Sequence, residues 1–390
     1  IFVSVDAASH DLIMGSISMD HAFLTLSADN GTSFNYINDI WLSSISGNMT
    51  DLTLHTDNNS NISIDITSPI TISGNLSMDA NHSSDIQLTA NIDGSSLDHI
   101  HIEAADYGNT NVDLTGDITL NQIDIHTSSE ATAHLSLEGQ VTLLGNIELY
   151  ATSLSYDAPG DYSTTSLDVQ SLVGSFDHIL LSAENGGESD FNFATLSADI
   201  QDVHLYASGD GNDSGISRID FNGNINGSTI NNLTLEAYGG GAIDSTLSGD
   251  LTLTGNLTLH ADGWSGDVEG PHESNIQLSA NIDGSSLNEI HIEAMNSANV
   301  TAHLSGDITV HGGIFVSVDA ATMDISSGSI SMDHAFLTLS ADHRISFNNT
   351  ITTDTTDAWL HSISGELSSL TLNANYCSDI VFDLSSSDLS

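Results

Sequence analysis

Lysine is absent from this chain, and the only arginines are Arg218 and Arg344. Against 53 Asp and Glu they leave a formal net charge of −51 at pH 7. This balance excludes nucleic-acid binding through phosphates, which needs Lys and Arg, and disfavours anionic lipid headgroups. Cysteine occurs once, at Cys377. A lone thiol excludes an intramolecular disulfide framework; its ordinary reading is a small buried residue, the alternative an interchain bridge. No apolar run approaches the roughly 18 residues of a membrane span, so membrane insertion is not expected. Neither an initiator Met nor a signal peptide precedes Ile1, and the chain is expected to be a mature or partial segment of a longer protein. Proline is also scarce, with three residues against 32 Gly.

Such acidity raises disorder as the first explanation. It fails because 39% of the residues are hydrophobic and they stand in strict order. A motif of aliphatic, polar, aliphatic, polar, Ala recurs fifteen times, as in Leu24–Ala28, Leu76–Ala80 and Ile100–Ala104. Its first positions are Val3, Leu24, Leu52, Leu76, Ile100, Ile123, Ile147, Ile179, Val203, Leu233, Leu257, Ile290, Val316, Leu337 and Leu370. The fifth position is Ala except at Thr56 and Thr127. Alternation with period two predicts half-buried strands rather than helices. The commonest step between motifs is 24 residues, and longer steps read as loop insertions near 154–166, 208–216 and 262–275.

One step shows the layout of a turn. Leu76–Ala80 forms a strand, Asn81-His82-Ser83-Ser84 a corner, Ile86-Gln87-Leu88 a second strand and Asn91-Ile92-Asp93-Gly94 a second corner. No such turn can bury its aliphatic face alone, whereas stacked turns share one continuous core. The predicted fold is therefore all-β: a right-handed parallel β-helix of about 15 rungs of roughly 24 residues, with residues 1–390 as one continuous segment. At about 4.8 Å per rung this predicts a rod of about 70 Å. The Ala column is expected to mark a corner where the wall pinches.

A longer repeat overlies the short one. Residues 1–29 match 314–342 at 24 of 29 positions, an offset of 313 residues, and the block 86–119 returns at 276–309, an offset of 190. Phrases such as Gly255-Asn256-Leu257-Thr258-Leu259-His260-Ala261-Asp262-Gly263 and Ser84-Asp85-Ile86-Gln87-Leu88-Thr89-Ala90-Asn91-Ile92 resemble the repeats of filamentous haemagglutinin-type adhesins; β-solenoid S-layer proteins look similar. The resemblance implies a secreted bacterial surface protein, extracellular or on the cell surface.

Outward motif positions stack into columns, and spacing places His101 over Asp124 and Glu103 over His126. A second run is expected to join Glu236, His260, Glu293 and Asp319, with His291 alongside. Imidazole and carboxylate at such distances suit a divalent metal, although a solvated polar ladder is the simpler reading. Asp210, Asn212 and Ser214 resemble the first half of a calcium loop, but Phe221 stands where its closing Glu belongs. The loop from Asp262, with Asp267, is another acidic candidate, and Ca2+ is the expected cofactor. Sequons such as Asn48, Asn75, Asn232 and Asn256 admit glycosylation only where the Asn faces outward.

No catalytic residues are expected. Polysaccharide lyases of similar fold rely on Lys or Arg beside calcium, and only Arg218 and Arg344 are available. The leading expectation is a structural or adhesive fibre or surface-layer protein that associates with itself. The alternatives are a glycan- or calcium-binding adhesin module and, third, a polysaccharide-active enzyme. Ile1 and Leu384 both lie in strand-like sequence without a recognisable cap, so end-to-end stacking of segments is expected.

Overall fold

The computed structural model describes residues 1–6, 12–29, 39–66, 68–153, 163–209, 216–263, 273–319, 321–342, 357–375 and 379–389. They fall into two compact units, Ile1–Ser182 with Gly186–Leu196, and Ala183–Asn185 with Ser197–Ser390. The fold is an all-β parallel β-solenoid of about 12 turns, without a helix among the described residues. This is slightly fewer than the 15 rungs expected from the motif. Stretches such as 30–38 and 343–356 lie outside the described residues.

Each turn has three faces. In the first unit the motif face holds 75–80, 99–104, 122–128 and 146–152, each paired in parallel with the next turn. The second face holds 61–66, 85–91, 109–115 and 132–138. A third, short face pairs 96–97 with 119–120 and 118–120 with 141–143. The second unit repeats the scheme, with 232–238, 256–262, 289–295, 313–319 and 336–342 on its motif face. Inward positions are almost all aliphatic and fully buried, for example Leu76, Met78, Ile100, Ile102, Ile123 and Ile125. Burying each such side chain is worth about 1.5–3 kcal/mol relative to leaving it exposed, and stacking is what completes the burial.

The register follows the expected spacing through most of both units: Leu52 faces Leu76, Leu76 faces Ile100 and Ile100 faces Ile123. It differs at two motifs. Ile314, not Val316, faces Ile290, and Val3 faces Leu26 rather than Leu24. With period two, the pattern fits equally well two residues earlier, and hydrogen bonding selects the nearly equal turn lengths of 24 and 23 residues around Ile314. Consequently Glu293 faces Ser317, while Asp319 faces Met295. Asp319 therefore does not extend the Glu236–His260–Glu293 run.

The corner between motif face and second face explains the Ala column. Ala80, Ala104, Ala151, Ala207, Ala237, Ala261 and Ala294 are fully buried, as are Thr56 and Val318 in the same column. Across the corner lies a second column of small buried residues, including Ser60, Ser84, Gly108, Ala131, Ser163, Ser217, Ser274 and Ala298. A Cβ on Gly108 would meet the carbonyl oxygen of Ala80 at 2.1 Å, so the two columns pack backbone against backbone. The chain turns there through paired left-handed residues: Asn58-Asn59, His82-Ser83, Asp106-Tyr107, Ser129-Glu130 and Asn296-Ser297 all have φ between 49° and 69°. Only Asn, Asp and Gly tolerate that region cheaply, so His, Tyr and Glu there are held by the stacked corners above and below.

Three insertions leave from this same corner. Where they occur, a serine closes the base: Ser163 Oγ donates to the Thr152 carbonyl at 3.0 Å, Ser217 Oγ to Ser208 at 2.8 Å and Ser274 Oγ to Asp262 at 2.8 Å.

Candidate functional site

The outer surface of the motif face is a grid of three columns in the first unit. Asn75, His99, Gln122 and Asn146 form one, Ser77, His101, Asp124 and Glu148 the next, and Asp79, Glu103, His126 and Tyr150 the third. Parallel pairing puts equivalent residues of successive turns about 4.8 Å apart, and alternation puts residues 99, 101 and 103 on one side of their strand. Chemistry therefore concentrates wherever neighbouring grid points carry ligating side chains.

That happens at His99, His101 and Asp124, three half-buried residues whose ligating atoms lie within 4.8 Å of one another. His101 Nδ1 is 3.2 Å from Asp124 Oδ2, and His99 Nε2 is 3.9 Å from the same oxygen. His126 Nε2 approaches the other oxygen, Oδ1, at 2.6 Å. Burial opposes ionisation of Asp124, but the hydrogen bond with His101 and the close approach of His126 outweigh it and hold the carboxyl well below its usual range. The hydrogen bond to Asp124 raises the His101 pKa against its burial, whereas burial lowers that of His99 despite the nearby carboxylate. His99 Nε2 is buried and has no hydrogen-bond partner. The next turn extends the patch: the His126 and Tyr150 rings lie 4.6 Å apart, and burial, then Glu148, push Tyr150 up to about 12.

Of the residues that the sequence singles out, His101 and Asp124 meet directly, and Glu103 and His126 occupy facing positions beside them. Glu103 Oε2 stays 3.8 Å from His101 Nε2. His99 is not a motif position, because the motif opens at Ile100. Extending the alternation one step upstream would have put His99 on the outward face. Asp262 ends its motif strand with its Oδ1 accepting a hydrogen bond from Asn296 Nδ2 at 2.7 Å. Asp210, Asn212, Ser214 and Asp267 lie outside the described residues, as does Cys377.

Elsewhere imidazoles pair with carboxylates across turns. His55 Nδ1 lies 2.9 Å from Asp79, His178 Nε2 2.9 Å from Glu148, His204 Nε2 3.0 Å from Glu236 and His260 Nδ1 3.1 Å from Glu293. Asn and Asp ladders cover other columns, with Asn232 Nδ2 donating to Asp202 and Asn288 Nδ2 to Asn256. Among the sequons, Asn48 and Asn75 are exposed, whereas Asn232 and Asn256 are half-buried in these ladders. No family model matches the chain, and neither a curated protein nor a solved structure matches it.

Proposed function

We propose that this chain is a structural or adhesive segment of an extracellular fibre or surface layer, in which an acidic solenoid serves as a stiff, self-associating scaffold. One observation carries the reading: duplicated blocks keep one backbone conformation while their outer side chains change. Gly94 and Gly284 have φ of 76° and 75°, and Asp106 and Asn296 have 49° and 51°. A fold whose turns are interchangeable can be lengthened by duplication without redesign, because each turn needs only its neighbours. The resemblance to filamentous haemagglutinin-type and S-layer repeats points the same way, to a secreted surface protein. Self-association is the expected partnership, and no catalytic role is proposed.

Electron microscopy and fibre diffraction of the native material test this. Filaments or sheets with a meridional repeat near 4.8 Å are expected. Monodisperse single particles, in the native material, would overturn the proposal.

A second reading, a glycan- or calcium-binding module, is favoured by the three insertions that share one corner and one serine closure. Calorimetry with millimolar calcium against matched sodium distinguishes it. Under the scaffold reading, calcium acts only through general charge screening of the acidic surface.

A further inference from the structure

We propose that His99, His101 and Asp124 bind one divalent transition-metal ion of the zinc class. The site does not depend on the scaffold reading, since its donors all come from two adjacent turns of the first unit.

Geometry comes first. A tetrahedral zinc ion with bonds of about 2.0–2.2 Å sets its ligand atoms roughly 3.3–3.6 Å apart. His101 Nδ1 and Asp124 Oδ2 are already 3.2 Å apart, and His99 Nε2 stands 3.9 Å from that oxygen. Small side-chain rotations on a fixed backbone bring all three within bonding distance of one ion. His99 and His101 project from one strand, and Asp124 from the strand hydrogen-bonded to it, so the donors sit on rigid elements rather than on loops.

The second observation is the orphaned nitrogen. His99 Nε2 is buried without a hydrogen-bond partner, and such atoms are rare because they forfeit their hydration for nothing. An ion between His99 and Asp124 would satisfy it. A supporting shell is present too: His126 Nε2 lies 2.6 Å from Asp124 Oδ1 and its ring packs on Tyr150. Contacts of this kind fix the orientation of a ligating carboxylate.

The donor set decides the class of ion. Two imidazoles and one carboxylate suit zinc, cobalt, nickel or copper, whereas calcium and magnesium prefer oxygen throughout. Three protein donors leave one coordination position for water. Among the described residues, no other group brings three His, Cys, Asp or Glu donors this close.

The experiment uses the whole chain, stripped with a chelator and titrated with zinc chloride in excess calcium chloride by calorimetry. Cobalt(II) provides an optical readout of coordination. One zinc ion per chain that calcium does not displace is expected, with tetrahedral cobalt bands. His99→Gln and Asp124→Asn should each weaken zinc binding by about tenfold or more and bleach the cobalt bands, with an unchanged circular dichroism spectrum. His55→Gln, which breaks an ordinary His–Asp pair, should leave both intact. The proposal is overturned if cobalt shows only the aqua spectrum, or if His99→Gln binds zinc within about twofold of the parent.

Discussion

Residues 86–119 in the first unit and 276–309 in the second began as the same sequence and still agree at 22 of 34 positions. Their backbones agree more closely than their side chains. Tyr107 and Ser297, very different in size and apolar surface, have φ of 67° and 69° at the equivalent corner. Gly116 and Gly306 turn at φ of 115° and 99°, and a Cβ on either would lie 2.5 Å from the Cα of Asp93 or Asp283. The outer columns have drifted. His99, His101 and the facing Asp124 of the first block correspond to Glu289, His291 and the facing Phe315 of the second. There His291 lies 3.7 Å from Glu289 and 3.8 Å from Glu293, with the Phe315 ring 5.7 Å away. The buried ladder conserves architecture, and the exposed grid is where one copy can acquire chemistry that the other lacks.

The sharpest way to exploit this contrast is to transplant the site. Glu289→His with Phe315→Asp should raise zinc stoichiometry from one ion per chain to two, measured by calorimetry and elemental analysis. A value that stays at one would mean that the equal backbones do not make equal sites. The Ala column should respond alike in both copies. Ala104→Leu and Ala294→Leu, at fully buried positions, should each destabilise by about 1–3 kcal/mol through overpacking, read by chemical denaturation. Tolerance in one copy alone would break the equivalence.

A smaller effect, of opposite sign, is expected where the copies differ inside. Thr110 is buried with its hydroxyl unpartnered, and its counterpart is the equally buried Val300. Thr110→Val keeps the shape and should stabilise the chain by about 1 kcal/mol; no gain would imply a water bound to that hydroxyl. The smallest effect concerns pH. A hydrogen bond to Asp57 raises the His82 pKa against its slight burial, and Asp57 and Asp106 add to the rise through their charge. A raised histidine stabilises the fold fully below its unfolded value of about 6.5, and that stability fades as pH climbs through the folded value. Asp106→Asn, which copies Asn296, should therefore lower the His82 pKa followed by NMR. It should also shrink the stability gained between about pH 8 and pH 5.5.

The fold was legible because period-two patterning and a 24-residue step are direct consequences of strand geometry and stacking. Cross-turn neighbours such as His101 and Asp124 followed by arithmetic alone. The register near Val316 was not legible, since Ile314-Phe315-Val316-Ser317-Val318 also alternates and Phe315 breaks the rule that outward positions are polar. Ala320, matching the usual fifth residue, favours the frame two places later. The corner at Asn81-His82-Ser83-Ser84 was legible, but its left-handed backbone was not, because His82 and, at the equivalent corner, Glu130 are residues that rarely adopt positive φ. His99 is not legible from the motif alone, because the outward face begins one residue before it.

The serine closure has a consequence for how such a chain changes over time. Ser163, Ser217 and Ser274 bond back to carbonyls 11, 9 and 12 residues earlier, whereas Ser84 follows Asn81 by three residues at a tight corner of the same kind. Loop length at this corner is thus decoupled from the register of everything after it. Peptides of varied length can be spliced in or cut out there while the ladder closes behind them. The corner works as a docking bay for new sequence, open to natural variation and to engineered display alike.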